Sequence, residues 1–115
     1  MGAPMVFFDL AGLDTAALRQ FYSKVLGWDI DPEGRFQIGV VSPLDGTLRG
    51  DPPEARLYFG VEDVTTTLAE VVRYGGHVDQ ERFEVSGVAV LGLFRDPEGN
   101  PMGLVEIGGG SPKLP

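Results

Sequence analysis

The sequence predicts an α+β fold built from two copies of a strand–helix–strand–strand–strand unit. Three observations lead there. Two stretches, "VFFDLAGLDTAALRQFYSKVLGW" and "LYFGVEDVTTTLAEVVRYGGHV", each read as a strand, a capped helix and a glycine stop. Each is followed by strand-like runs and a proline–glycine turn, "SPLDGT" at 42–47 and "DPEGNP" at 96–101. Between the halves lies "GDPPEA" at 50–55, whose two prolines suit neither a helix interior nor a central strand. A unit repeated within one chain is the mark of a modular fold.

In the first unit Val6, Phe8 and Leu10 alternate, as in a strand with one buried face. Asp14 is placed as a helix N-cap, with Leu13 and Leu18 spaced as a hydrophobic staple around it. Leu18, Phe21, Tyr22, Val25 and Leu26 follow helical spacing, and Gly27 supplies the stop. A strand is expected over Phe36 to Val41. In the second unit Leu57, Phe59 and Val61 alternate, and Thr65 is the expected cap. Leu68, Val71 and Val72 form the helical stripe, Gly75 and Gly76 end it, and a strand is expected over Val88 to Phe94. The modules span about 5–50 and 55–107 of a single domain, 1–107, and the glycine-rich stretch 108–115 reads as a flexible tail.

Composition narrows the function. The chain has 115 residues, and 43% of them are apolar, enough for one well-packed domain. The net charge of −8 repels phosphate backbones and anionic membranes, which argues against nucleic-acid and membrane partners. No cysteine is present, so disulfides, thiolate catalysis and thiolate metal sites are excluded. The start "MGAPMVFFDLAG" has no basic region and too short an apolar run for a signal or membrane segment. A cytoplasmic location is the expectation.

The segments "DTAALRQFYSKVLGW", "FGVEDVTTTLAEVVRYGGHV" and, most specifically, "FRDPEGN" resemble the vicinal oxygen chelate superfamily of glyoxalase I, bleomycin-resistance proteins and extradiol dioxygenases. The resemblance covers residues 5 to 107. It implies paired βαβββ modules curling into an open, cup-shaped barrel around a cleft, and a homodimer. In metal-using relatives the ligands come from the first and last strands of each module. Counted onto this chain, those positions hold Met5, Arg56 and Gly103, with the fourth near Gly50. None is a good donor for a hard or borderline divalent ion, and Arg56 would repel one. No metal and no other cofactor are therefore expected. His77 is the only histidine, and a catalytic zinc wants about three protein ligands.

Strand alternation assigns the cleft-facing side chains. They are Met5, Phe7 and Asp9 on the first strand, Gln37 and Gly39 on the next, and Arg56, Tyr58 and Gly60 in the second module. Pro101, Gly103 and Val105 complete the set, while Met102 and Leu104 face the core. Apolar walls with sparse polar groups suit a small organic ligand. The expected ligand-binding residues are Met5, Phe7, Asp9, Gln37, Arg56, Tyr58, Gly103 and Val105. Arg56 is either an anchor for a ligand anion or the partner of Asp9 or another acid. Asp9 is the one candidate general base. Ligand binding without catalysis is the leading expectation. A lyase, isomerase or dioxygenase with an atypical site is one alternative, and a structural dimerisation module the other. Glu106, three positions past the family's glutamate slot, differs from it in parity and should point to the opposite side of the strand.

Overall fold

A computed structural model of the chain describes residues 2, 4–108 and 111–114. Its elements are α1 (Thr15–Leu26), β1 (Leu57–Val61), α2 (Val64–Arg73), β2 (His77–Val85), β3 (Ala89–Arg95), β4 (Pro101–Gly108) and β5 (Ser111–Pro112). The second module is thus a complete βαβββ unit. Its strands form a mixed sheet in the order β1-β4-β3-β2, with β1 parallel to β4 and the other neighbours antiparallel. The chain leaves one edge of the sheet at β1 and re-enters at the other edge through β2. Between them α2 crosses one face.

That face holds the core. Val64, Leu68 and Val71 of α2 are buried with Phe94, Met102 and Leu104 of β3 and β4. Gly92 lets the helix approach: a Cβ there would lie 2.6 Å from Val64 Cγ1. From the first half, α1 adds Leu18, Phe21 and Tyr22 to the same core. Trp28 stacks on Tyr22 at 4.8 Å and on Phe36 at 5.1 Å, and meets Phe59 edge-on at 4.9 Å. Aromatic packing of this kind fixes the first half against the sheet.

The caps of α1 follow the sequence. Asp14 Oδ1 accepts the Ala17 N–H at 2.9 Å, and Gly27 takes the left-handed conformation, φ 70°. For α2 the cap is Asp63 rather than Thr65: its Oδ1 accepts the Thr66 N–H at 2.9 Å. The helix starts early because Val64 is needed in the core, where it is fully buried. The expected Leu13–Leu18 staple does not form, and Leu13 is fully exposed. The chain's approach to α1 is set instead by hydrogen bonds from the 96–101 turn to Ala11 and Asp14.

The first module departs most from expectation. Its helix is present, but among the described residues 6–10 and 36–41 join no strand ladder. These segments meet through side chains, with Phe8 edge-on to Phe36 at 5.6 Å. A strand is stabilised by burying one face against a second layer. Leu10 and Phe36 pack against the core, but Val6 and Phe7 are 85% and 80% exposed and Val40 and Val41 are exposed as well, so these side chains have no covering layer among the described residues. At the other end, the stretch read as a flexible tail turns back on β4. Ile107 pairs with Pro112 and Gly108 with Ser111, and the Lys113 N–H donates to the Glu106 carbonyl at 2.9 Å. Residues 109, 110 and 115 of that stretch lie outside the described residues.

Candidate functional site

The "DPEGNP" turn organises the junction of the two halves. Asp96 is completely buried. Its Oδ1 accepts the Glu98 and Asn100 N–H groups at 2.9 and 3.0 Å, the closed loop expected of an aspartate leading a tight turn. Its Oδ2 accepts the Tyr22 hydroxyl at 2.9 Å and Asn100 Nδ2 at 2.8 Å. Burial, and then the charge of Asp96, push the Tyr22 hydroxyl far above its usual range. Tyr22 is therefore a fixed donor, not a proton carrier. From the same turn Asn100 Nδ2 donates to the Ala11 carbonyl at 2.9 Å, and Glu98 Oε1 accepts the Asp14 N–H at 2.6 Å. The turn thus grips α1 at its N-terminus.

The "DPEG" sequence occurs a second time, at 31–34, and folds the same way. Asp31 Oδ1 accepts the Glu33 and Arg35 N–H groups, both at 2.9 Å. The Gly34 N–H closes on the Asp31 carbonyl at 2.9 Å, as Gly99 does on Asp96 at 2.9 Å. Both glycines have positive φ, 85° and 89°, which only glycine adopts without strain. This turn walls a cavity of about 250 Å³ between α1 and residues 30–36. Sequence reasoning missed it, although the repeated tetrapeptide was a signal that could have found it.

The face of the sheet away from α2 is where alternation placed the cleft. Register sets two rungs across the strands: Tyr58–Gly103–Leu93–Gln80 and Gly60–Val105–Leu91–Phe83. Leu91, Leu93, Val105 and Phe83 are half-buried and Tyr58 is exposed, which leaves an apolar strip open. Two glycines allow neighbours to lie flat on it. A Cβ on Gly103 would lie 2.3 Å from Tyr58 Cδ2, and one on Gly60 would lie 2.9 Å from Ile107 Cγ2. At one end of the strip three charged groups converge. Arg56 Nη2 and Arg95 Nε both reach Asp79 Oδ2 at 3.2 Å.

The expected site residues divide between these regions. Arg56, Tyr58, Gly103 and Val105 share the open face of the sheet. Met5, Phe7, Asp9 and Gln37 lie in the unpaired first-half segments, and all four are exposed. Arg56 does not pair with Asp9. Its side chain is only 6% exposed and its donors go to Glu54 at 3.4 Å, Asp79 at 3.2 Å and the Met102 carbonyl at 2.8 Å. The partly exposed guanidinium on this face is that of Arg95. Alternation from buried Phe94 would have pointed to it.

Glu106 points to the helix side, opposite Gly103, as parity requires. It is buried and accepts the Val64 N–H at 3.2 Å, so a strand carboxylate helps cap α2. Arg82 reaches the same carboxylate at 3.1 and 3.4 Å, and Lys113 of the tail lies 3.6 Å away. The Arg82 hydrogen bond, then that of Val64, hold its pKa below the ordinary 4.5. A depressed carboxylate pKa adds stability above its unfolded value and loses it as pH falls through the folded value. Glu106→Gln is therefore expected to lower stability by about 2 kcal/mol at neutral pH. The gap to the parent should close below about pH 4.5, a window that urea titrations across pH 3–7 would resolve. A gap that stays constant with pH would count against this role.

The residues at the superfamily's metal positions do not fit a cation. Arg56 brings a fixed positive charge already held by three acceptors, and Gly103 has no donor and is covered by Tyr58. Among the described residues no group of three or more His, Asp or Glu side chains is arranged to hold a metal ion.

A βαβββ module with its helix on one face and an open apolar sheet on the other is the half-barrel of the glyoxalase/bleomycin-resistance fold. The chain belongs to the glyoxalase-like domain family, whose sequence profile matches residues 5–105. That agrees with the vicinal oxygen chelate resemblance of the sequence. Among curated proteins it is 27% identical over 111 residues to CFP32 of Mycobacterium bovis, whose glyoxylase designation is itself provisional. The match covers 84% of this chain and 42% of that protein, so the chain spans less than half the length of the curated relatives it matches. Among solved structures it is similar to the hypothetical protein SA1046 of S. aureus, with 25% identity, TM-score 0.66, and 93% and 96% of the two chains covered. A glyoxalase-related enzyme from Fulvimarina pelagi shares the fold at 17% identity, TM-score 0.65, over 92% of each chain. No helix among the described residues is long and apolar enough to cross a membrane.

Proposed function

We propose that this chain is a small-molecule-binding member of the glyoxalase-like family, working without a resident metal and holding an organic ligand on the open face of its sheet. The observation that carries this reading is the Tyr58–Gly103 contact. An aromatic ring lies where the superfamily pattern puts a ligating carboxylate, so the position offers a stacking surface instead of a donor. Leu91, Leu93 and Val105 extend that surface, and Arg95 supplies polarity at its end. Apolar area with few orienting groups is the usual make-up of small-ligand sites.

A homodimer belongs to the same reading. The exposed Val6, Phe7, Val40 and Val41 fall in the first-half segments with strand-like patterning, and a second copy would give them a layer to pack on. Met5, Phe7, Asp9 and Gln37 would then join the ligand site as that layer closes.

The test combines metal analysis of untagged protein with a thermal-shift screen of aromatic and amphipathic metabolites. Metal far below stoichiometry is expected, together with at least one ligand that raises Tm in the parent and not in Tyr58→Ala. Light scattering should return twice the chain mass of 12.4 kDa. One equivalent of tightly held divalent metal would overturn the metal-free reading, and hits insensitive to Tyr58→Ala would move the ligand elsewhere.

A further inference from the structure

We propose that the crevice between α1 and residues 30–36 is a second, independent site, for a small apolar zwitterion: an α-amino acid with a branched or aromatic side chain. The cavity of about 250 Å³ has an apolar floor of Leu10, Leu18, Ile30 and Phe36. That volume suits a molecule of about ten heavy atoms, below drug size. Its rim carries both signs of charge, from Arg19 on α1 and from Asp31 and Glu33 on the turn. Among the described residues none of the three makes an ion pair, although they border one small cavity. Opposite charges left unpaired at the border of one apolar crevice match a ligand that presents a carboxylate to the guanidinium and an ammonium to the acid.

The arrangement is held in place. Arg19 Nε donates to the Ile30 carbonyl at 2.6 Å, which orients the guanidinium and leaves its two terminal nitrogens available. Asp31 is fixed by two N–H groups on Oδ1. The duplicated turn shows what the other oxygen is for. In the 96–99 copy Oδ2 accepts a tyrosine hydroxyl and an amide N–H. In the 31–34 copy Arg35 replaces the asparagine, and Oδ2 takes no hydrogen bond from the described residues. The second turn thus keeps an acceptor that the first has filled.

Trp28, the only tryptophan, stacks on Tyr22 and Phe36, which both border the crevice, so its emission reports on occupancy. The experiment titrates the full chain with L-leucine and L-phenylalanine, following Trp28 fluorescence and backbone amide NMR. Isovalerate and phenethylamine serve as half-charged controls. Saturable shifts at residues 15–19 and 30–36 are expected, with each control binding at least about tenfold more weakly. Asp31→Asn keeps the Oδ1 that closes the turn but removes the charge, and it should weaken binding at least about fivefold, as should Arg19→Gln. Controls that bind as well as the amino acids, or shifts absent at millimolar ligand, would overturn the proposal. So would shifts centred on Tyr58 and Val105, which would support the sheet-face site instead.

Discussion

Asp96→Ala is expected to cost about 4 kcal/mol of stability, a fall in Tm of roughly 15 °C for a domain of this size. The substitution removes an acceptor from four donors at once, two backbone N–H groups, the Tyr22 hydroxyl and Asn100 Nδ2. Buried donors left without partners carry their full desolvation cost, about 1–3 kcal/mol each before relaxation. Tyr22 and Asp96 are almost completely buried, so water cannot easily replace the lost oxygens. Tyr22→Phe separates the contributions, because it removes one donor and leaves the turn closed. It should cost about 1 kcal/mol. Urea melts of both variants, followed by far-UV circular dichroism, provide the measurement. A loss below about 1 kcal/mol for Asp96→Ala would mean that packing alone seats α1 on the sheet.

Gly76→Ala is the second large effect, expected near 3 kcal/mol. The reason here is space. A Cβ on Gly76 would lie 2.8 Å from the Arg95 carbonyl oxygen, 2.7 Å from Val71 Cγ1 and 3.0 Å from Phe21 Cε1. The first is backbone of a central strand, and the other two are side chains fully buried in the core, so none can move cheaply. Gly76 also donates to the Val71 carbonyl at 2.8 Å, which brings the chain out of α2 tightly against the sheet. Gly75→Ala probes a different property, since that residue has φ 97° and only Pro97 Cγ nearby, at 3.8 Å. Its cost should be smaller, near 1 kcal/mol, and should come from backbone strain. Equal losses at the two positions would argue against overpacking as the cause.

What could be read from sequence was mostly local. Asp14 and Gly27 bound α1 because capping depends on a few neighbouring residues. The alternation of Leu57, Phe59 and Val61 holds because one face of β1 packs against the shared core, where Phe59 meets Trp28 of the first half. Thr65 was displaced as a cap because helix α2 begins where the core needs Val64, and that requirement comes from β3 and β4. The Leu13 staple was overridden by contacts from residues more than eighty positions away. The first-half segments had the strand pattern, but among the described residues no layer covers Val6, Phe7, Val40 and Val41.

The site divides in the same way. The parity of Gly103, Val105 and Glu106 was legible, as was the sharing of one face by Arg56 and Tyr58. That Arg56 would pair with an acid other than Asp9 was one of two open readings. Which acid was not legible, because a bulged pairing between β2 and β3 carries Asp79 to it. Nor did periodicity reveal the crevice beside α1, whose walls are a turn and a helix.

The grip of the 96–101 turn on α1 also bears on the order in which a growing chain can acquire its structure. The bonds from Glu98 and Asn100 to Asp14 and Ala11 span 84 and 89 residues. During synthesis α1 is made more than eighty residues before the turn that holds its N-terminus. Until then its apolar side, with Phe21 and Tyr22, has only the β2–β3 hairpin to lie on, because β4, which joins β1 to that hairpin, also follows the turn. A ribosome-bound chain stopped at residue 95 should therefore present an undocked α1, readily cut by protease near Leu13. One released after β4 should protect it.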